Sequence, residues 1–336
     1  MELNKLCELN GTSGDEGAVR NAILAAASKL CDDVRIDRAG NVIATKRGVK
    51  KTGRKHVLLS AHMDEVGFIV MGATDDGMLR IRPVGGIDPR VCVSKYVVVG
   101  EKKIKGVIGA MAIHLQSAAD RQKVLGWDEL YIDIGAKSKD EALADCPEAC
   151  YAYFDSRFEK FGEGCAVSKA LDDRVGCYNL LRLLEGTYAA DVTCAFVVME
   201  EIGSRGAMGA AFASDADTAI IFEGTAAGDM GDADEVRKVC QAGKGVAVSF
   251  MDRTTIGDRA LYQELLALAQ AKGIPFQPKR GVTGGNDARA FQRVGEGKRA
   301  CVLSVPCRYI HGPSSVLCLS DLDAQLALAK AYAEQA

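Results

Sequence analysis

One segment constrains the fold more than any other. His56-Val57-Leu58-Leu59-Ser60-Ala61-His62 is apolar almost without interruption. A strand with one wet face alternates polar and apolar residues. A continuous apolar run of this length therefore needs cover on both faces, as in the interior of an α/β sheet. Segments 193–199 and 301–305 repeat the pattern, and 219–222 is a shorter version of it. Between these runs, residues 16–31, 169–184, 260–270 and 321–332 place apolar residues at helical spacing. In the first of them Val19, Ile23, Leu24, Ala27 and Leu30 share one side, and Gly14-Asp15 supplies the preceding turn and cap. Residues 34–37 and 41–45 are predicted to pair as strands around the turn 38–40. The expected fold class is α/β, a mixed, mostly parallel central sheet flanked by helices.

The texture changes from about residue 69 to 159. Short strand-like segments at 78–83, 96–99, 104–108 and 130–134 are separated by glycines and charged turns. This predicts a small β-rich domain, 69–159, inserted into a larger unit made of 1–68 plus 160–336. A chain of 336 residues has room for both. With 42 basic and 45 acidic residues the net charge is −3, which excludes a broad electrostatic footprint for nucleic acid. No apolar run approaches the roughly 20 residues of a membrane helix. The start, Met1-Glu2-Leu3-Asn4-Lys5-Leu6, has no basic stretch followed by an apolar one, so a cytoplasmic location is expected. The 12 cysteines are scattered from Cys7 to Cys318 without CxxC spacing and sit in apolar contexts. They are expected to be reduced core thiols rather than a zinc ribbon or a disulfide frame.

The chemistry-bearing residues fall at one kind of place. His62 follows the buried run 57–61, with Asp64 two residues on. Glu200-Glu201 follows the strand 193–199, Glu223 follows 219–222, and His311 lies a few residues past 301–305. Asp172-Asp173 sits at the start of a helix. The edge beyond the C-terminal ends of parallel strands is where α/β proteins build sites. Singly, each residue has a plain structural explanation: Asp172-Asp173 as a helix cap, Glu223 as a strand end, His311 as a turn residue. Together they form a two-histidine, several-carboxylate palette suited to zinc, cobalt or manganese. In His-x-Asp the two side chains lie on one side of an extended segment, so Asp64 can accept the N–H of the His62 nitrogen that faces away from a metal. Of the adjacent pair Glu200-Glu201, one can ligate while the other serves as general base. Asp172 can bridge two cations through its two oxygens. His56, at the start of its strand, is expected to be structural, and His114 lies in the insert.

These residues resemble a known family, the di-metal aminopeptidases that build tetrahedral (TET) assemblies, the forty-second metallopeptidase family. Its members are also called glutamyl aminopeptidases and sometimes endoglucanases. The likeness runs nearly end to end. It is carried by Gly11-Thr12-Ser13-Gly14-Asp15-Glu16, Asp37-Arg38-Ala39-Gly40-Asn41-Val42 and Ser60-Ala61-His62-Met63-Asp64-Glu65-Val66-Gly67. Ala170-Leu171-Asp172-Asp173-Arg174, Glu200-Glu201-Ile202-Gly203-Ser204-Arg205-Gly206 and Arg308-Tyr309-Ile310-His311 complete it. The resemblance implies a di-zinc exopeptidase type of fold and two divalent metal ions per chain, with zinc first and cobalt or manganese as alternatives. His62, Asp172, Glu201, Glu223 and His311 would be the metal ligands, Glu200 the general base and Asp64 the residue orienting His62. Glu223 stands where many relatives carry Asp. Asn286, in Gly284-Gly285-Asn286-Asp287-Ala288, replaces a small hydroxyl residue, and Asp287 reads as a plain turn acid.

The implied activity is removal of N-terminal residues from short peptides by a two-metal-activated water. The insert would be a dimerisation module, and the homo-oligomer a dimer or a tetrahedral dodecamer. Three other functions share the scaffold or the residues: a different di-metal amidohydrolase such as a deacylase or carboxypeptidase, a metal-independent glycosidase, and a non-catalytic assembly protein. No nucleic acid or membrane partner is expected.

Overall fold

The computed structural model describes residues 1–31 and 33–336. Among them the larger unit is built on an 11-stranded sheet. Its centre is four parallel strands in the spatial order Asp191–Val197, His56–His62, Thr218–Ala226, Arg299–Arg308. Antiparallel strands flank this centre. Val42–Lys46 and Asp33–Ile36 lie on one side; Ser315–Cys318, Cys165–Ser168 and Glu159–Phe161 lie on the other. Val246–Ser249 joins antiparallel to Arg299–Arg308 and carries Phe276–Pro278 parallel to itself.

The apolar runs are explained by cover on both faces. Successive residues of a strand point to opposite sides, and both sides are packed here. Leu59, Phe196, Phe222 and Leu303 share a cluster with apolar residues of the helices Gly17–Ala27, Leu171–Leu184, Arg259–Lys272 and Leu319–Gln335. Leu58, Val197, Ile221 and Val302 point the other way and meet Ala207, Ala211 and Phe291 of the helices Arg205–Ala213 and Ala288–Arg293. Burying each such side chain contributes about 1.5–3 kcal/mol. No helix among the described residues is long and apolar enough to cross a membrane. No disulfide is seen among the described residues, and most of the 12 cysteines are buried.

Two sequence expectations need correction near the site. The strand predicted over 219–222 continues to Ala226, because its parallel neighbour pairs with it residue by residue up to Ala226↔Cys307. Glu223 therefore lies inside a strand rather than after it. The helix predicted over 169–184 begins at Leu171, and its next two residues leave helical geometry, Asp172 at φ −84, ψ 110 and Asp173 at φ −123, ψ 42.

The second unit is a closed antiparallel barrel of six strands. Around it run Gly67–Ala73, Leu79–Val84, Tyr131–Asp133, Ile104–Gly109, Tyr96–Val99 and Tyr151–Phe154. Phe68 sits in its core, with its ring centroid 5.1 Å from Phe154 edge-on and 6.0 Å from Trp127. The sequence shows four of these strands. The first and last, which close the barrel against each other through Phe68↔Ala152 and Ile69↔Tyr151, go unseen. A register shift between Val70 and Gly72 breaks the period-two pattern that would announce the first.

Candidate metal centre

The parallel register aligns the site. Val197 pairs with His62, and Ile221 pairs with Ser60, so two further residues bring Glu223 level with His62. Glu200 and Glu201 leave the end of Asp191–Val197 on one side of His62. On the other side, His311 follows Arg299–Arg308. The non-helical start of Leu171–Leu184 brings Asp172 to these strand ends, where its Oδ1 accepts the Gly224 N–H. Several of these joints hold non-glycine residues at left-handed φ: Ala170 at 53°, Met199 at 56°, Ser204 at 55° and His311 itself at 61°. Such conformations cost energy and are retained where the surroundings enforce them, commonly at functional sites.

The site has two halves that share Asp172. In the first, His62 Nε2 lies 3.4 Å from Asp172 Oδ1 and 3.6 Å from Glu223 Oε2. In the second, His311 Nε2 lies 3.7 Å from Asp172 Oδ2 and 3.3 Å from Glu201 Oε1. The two oxygens of one carboxylate thus face two different histidines. The other ring nitrogens are tied down. His62 Nδ1 is 3.1 Å from the Asp64 carbonyl oxygen and 3.5 Å from Asp64 Oδ1, so the main-chain oxygen is the nearer partner. His311 Nδ1 is 2.8 Å from the carbonyl oxygen of Gly86, which belongs to the barrel unit and so brings that unit to the edge of the site.

Asp64 does more than face His62. Its buried carboxylate accepts the Ser13 hydroxyl at 2.6 Å, the Glu200 N–H at 3.0 Å and the Glu201 N–H at 3.1 Å. It therefore holds the turn that presents both glutamates. Burial alone would raise its pKa, but His62, Ser13 and the Glu200 N–H keep it below the usual carboxylate value.

The electrostatics are those of acids and histidines crowded out of water. Burial pushes Glu201 and Glu223 each up to about 7, opposed by His311 for the first and by His62 for the second. Burial would lower both histidines, yet the carboxylates win. Asp172, Asp64 and Glu223 hold His62 well above its ordinary value, and Glu201 with Asp172 holds His311 at about 9. Glu200 is pushed well above the normal range by burial, then by Glu223 and Asp287.

This donor set fits divalent first-row metals. Histidine nitrogens and carboxylate oxygens are their common ligands. His62, Asp172 and Glu201 present ligand atoms within 4.8 Å of one another, and so do His62, Asp173 and Glu223. Glu223 Oε1 and Asp173 Oδ2 are buried without any hydrogen-bond partner among the described residues, a costly state for a polar group. Cations between these groups would satisfy both the orphaned oxygens and the crowded acids.

Two residues of this neighbourhood, Asp173 and Asp287, have no metal-site role in the sequence reading. Asp173 is fully buried, with Oδ1 accepting the Gly176 N–H at 3.0 Å and Oδ2 free. Asp287 is 1% exposed and neither of its oxygens has a hydrogen-bond partner among the described residues, which is not the setting of a plain turn acid. Burial lifts it to about 7, with His62 and Ser204 pulling the other way. No local pattern marks either residue, because their burial is made by distant segments. Asn286 donates to Asp252 Oδ2 at 2.8 Å and accepts the Ala288 N–H at 2.9 Å, so it ties the glycine-rich segment to the loop at 252–255.

The centre opens into a pocket of ≈ 740 Å³ lined by Asp172, Glu200, Glu201, Glu223 and His311 among others. Such a volume lies in the range of small-ligand pockets.

Comparisons with known proteins agree with this architecture. A family profile described as M42 glutamyl aminopeptidase matches residues 40–328. A lysyl aminopeptidase of Pyrococcus furiosus is 32% identical over 342 residues, covering 99% of this chain and 96% of its own. An aminopeptidase of the archaeon Desulfurococcus kamchatkensis superposes with a TM-score of 0.94 at 33% identity, covering 99% of this chain and 94% of that one. The TET1 peptidase of Pyrococcus horikoshii, described as assembling into a tetrahedron or a large octahedral shell, superposes at 0.87 with 34% identity, covering 99% of this chain and 98% of that one.

Proposed function

The chain belongs to the M42 glutamyl aminopeptidase family, and from that membership we propose that it is a metal-dependent aminopeptidase removing N-terminal residues from short peptides. The observation behind the proposal is Asp172, with one oxygen toward His62 and the other toward His311. His62, Asp172 and Glu223 would hold one divalent cation, and Asp172, Glu201 and His311 the other. Zinc suits these donors best, and cobalt and manganese take the same set. Two such cations supply Lewis acidity toward a scissile carbonyl and a water, and a seat for a free amine.

The protein's own part is positioning and proton handling. Glu200 takes a proton from the attacking water onto its carboxylate and delivers it to the leaving amine. A solvated glutamate is too weak a base to hold that proton long enough. Burial, then Glu223 and Asp287, raises its proton affinity well above that of a solvated glutamate. The Ser204 hydroxyl, 3.5 Å from Glu200 Oε1, and Asp64, through the Glu200 N–H, fix where that carboxylate stands.

We take residues 69–159 as the inserted unit and 1–68 with 160–336 as the catalytic one. The insert carries exposed apolar side chains at Met111, Ile113, Leu115 and Val124, which supports a role in self-association. The proposed homo-oligomer is a dimer through the insert or a tetrahedral dodecamer, a reading supported by the Pyrococcus horikoshii relative, which is described as assembling into a tetrahedron or a large octahedral shell.

The activity test uses metal-stripped protein with zinc, cobalt or manganese restored, on aminoacyl-fluorophores with free or acetylated amines. Metal-restored cleavage confined to free amines is expected. Cleavage of acetylated substrates alone would replace the aminopeptidase by a deacylase. Chelator-insensitive activity would remove the metals from the mechanism.

A further inference from the structure

Cys165 and Cys318 face each other across the antiparallel strands Cys165–Ser168 and Ser315–Cys318. Their sulfurs are 3.6 Å apart. The Leu319 N–H donates to the Gly164 carbonyl oxygen at 2.8 Å. Hydrogen-bonded and non-hydrogen-bonded pairs alternate along an antiparallel ladder, so Cys165 and Cys318 form a non-hydrogen-bonded pair. In such a pair the Cα atoms stand about 4.5 Å apart and the side chains approach most closely. A disulfide spans Cα separations of about 4.4–6.8 Å. The sulfurs therefore need to close only from 3.6 Å to a bond of about 2 Å, a step within reach of side-chain rotation.

Other thiols of the chain are placed differently. Cys177 is fully buried, and its Sγ donates to His62 O at 3.1 Å. Cys301 is fully buried, with Sγ 3.6 Å from Ser249 O. Buried thiols of this kind are inert core groups. Cys165 and Cys318 are only half-buried, and Gly162, Glu163 and Gly164 beside them are exposed. The adjacent pair, Ala166 and Leu317, packs in an apolar cluster with Val305 and Cys307. Side chains alternate along a strand, so the two cysteines project from the opposite face.

The place of the pair in the chain gives a bond there a mechanical role. Strand Cys165–Ser168 runs into Lys169, whose ammonium meets Glu65 at 2.8 Å, and then into Asp172. Strand Ser315–Cys318 follows the loop that carries His311 and pairs with Arg299–Arg308 through Cys307↔Leu317 and Arg308↔Val316. A link between Cys165 and Cys318 closes together the segment entering Asp172 and the segment leaving His311.

We propose that Cys165 and Cys318 are a dithiol–disulfide pair, oxidised reversibly by low-molecular-weight disulfides, whose bond staples these two strands. The step is thiol–disulfide exchange. Cys165 gives up its proton, and its thiolate attacks one sulfur of the oxidant RSSR. The bond between the two oxidant sulfurs breaks, and the departing thiolate takes up a proton as RSH. Cys318 then gives up its proton and attacks the protein-bound sulfur of the mixed disulfide, expelling the second thiolate, which also becomes RSH. The protein loses two electrons and two protons, and the oxidant gains both. Cys165 attacks first, because burial and contact with Cys165 push the Cys318 thiol up to about 11 and leave little thiolate there at neutral pH. Ring closure outruns a second encounter with oxidant, because the partner thiol is already adjacent. The exchange needs neither metal nor substrate, so it stands or falls apart from the aminopeptidase function.

The test incubates the reduced full chain, freed of reductant, with an excess of oxidised glutathione, followed by alkylation and trypsin digestion. Cleavage at Lys160, Lys169, Arg308 and Lys330 yields peptides 161–169 and 309–330, each with a single cysteine. Mass spectrometry should find these two peptides joined, and dithiothreitol should part them. Recovery of both with alkylated cysteines, or each carrying glutathione without a link, overturns the pair. Cys318→Ser should stop at the mixed disulfide, with glutathione on Cys165; an unmodified Cys165 in that variant overturns the order of attack. The staple has its own readout. The two cysteines are 153 positions apart, so the link removes much freedom from the unfolded chain. At equal metal content, the oxidised protein should melt about 5 °C or more above the reduced protein. Cys318→Ser taken through the same treatment should show no such shift. Equal midpoints for linked and reduced wild type overturn the staple.

Discussion

The main-chain N–H of Gly224 donates to Asp172 Oδ1 at 2.9 Å, and the missing side chain of Gly224 leaves the space that this carboxylate occupies. A Cβ at Gly224 would stand 2.8 Å from Asp172 Cβ and 2.9 Å from Oδ1. The glycine thus sets both the direction and the depth of the residue that joins the two halves of the centre.

Gly224→Ala should therefore weaken metal binding without removing any ligand. A loss of about 10–100-fold in affinity is expected, the range for residues that orient ligands. Competition with a chelator of known affinity measures it. Unchanged affinity would mean that Asp172 does not need its present position.

Glu200→Gln keeps the shape of the side chain and removes the proton acceptor. Metal content should stay at the wild-type value while kcat falls about 10²–10⁴-fold. Turnover close to wild type would show that another group takes the proton, and Asp287, buried and without partners, would be the first to examine.

Asp64→Asn replaces one of two carboxylate oxygens by an amide that cannot accept both the Glu200 and Glu201 N–H groups. The turn holding both glutamates should loosen, lowering kcat by about 10–100-fold and weakening metal binding together. A variant with normal kcat and normal metal affinity would reduce Asp64 to a packing role.

The metal-free protein should lose stability as pH rises. Glu201, Glu223 and Asp287 titrate near 7 when folded and near 4 when unfolded, so between those values the folded state holds more protons. Stability then falls with rising pH. His311, raised to about 9, adds stability that is complete below about 6.5 and lost as pH passes 9. Asp64 and Asp172, shifted downward, act only below about pH 4. The thermal midpoint of metal-free protein should drop between pH 5.5 and 8.5, and the gain on adding zinc should be larger at pH 8.5. A midpoint that rises over that window would contradict the electrostatics of the centre.

The central strands are legible in the sequence because cover on both faces leaves runs such as 57–61 apolar throughout. The meeting of His62, Glu201, Glu223 and His311 follows from where those runs end, since parallel strands bring their C-terminal ends to one edge. What is not legible depends on packing between distant segments. Glu223 lies inside its strand only because Arg299–Arg308 extends beside it. Gly67–Ala73 hides its strand behind an irregular register. Asp173 and Asp287 are short polar residues next to turns, and nothing local shows that both are buried.

The most direct measurement is metal stoichiometry by elemental analysis after dialysis against a zinc buffer. Wild type should retain two ions per chain. His62→Ala and His311→Ala should each weaken one of them, and Asp172→Ala should weaken both. Two ions retained at wild-type affinity by Asp172→Ala would contradict the shared carboxylate on which the proposed centre depends.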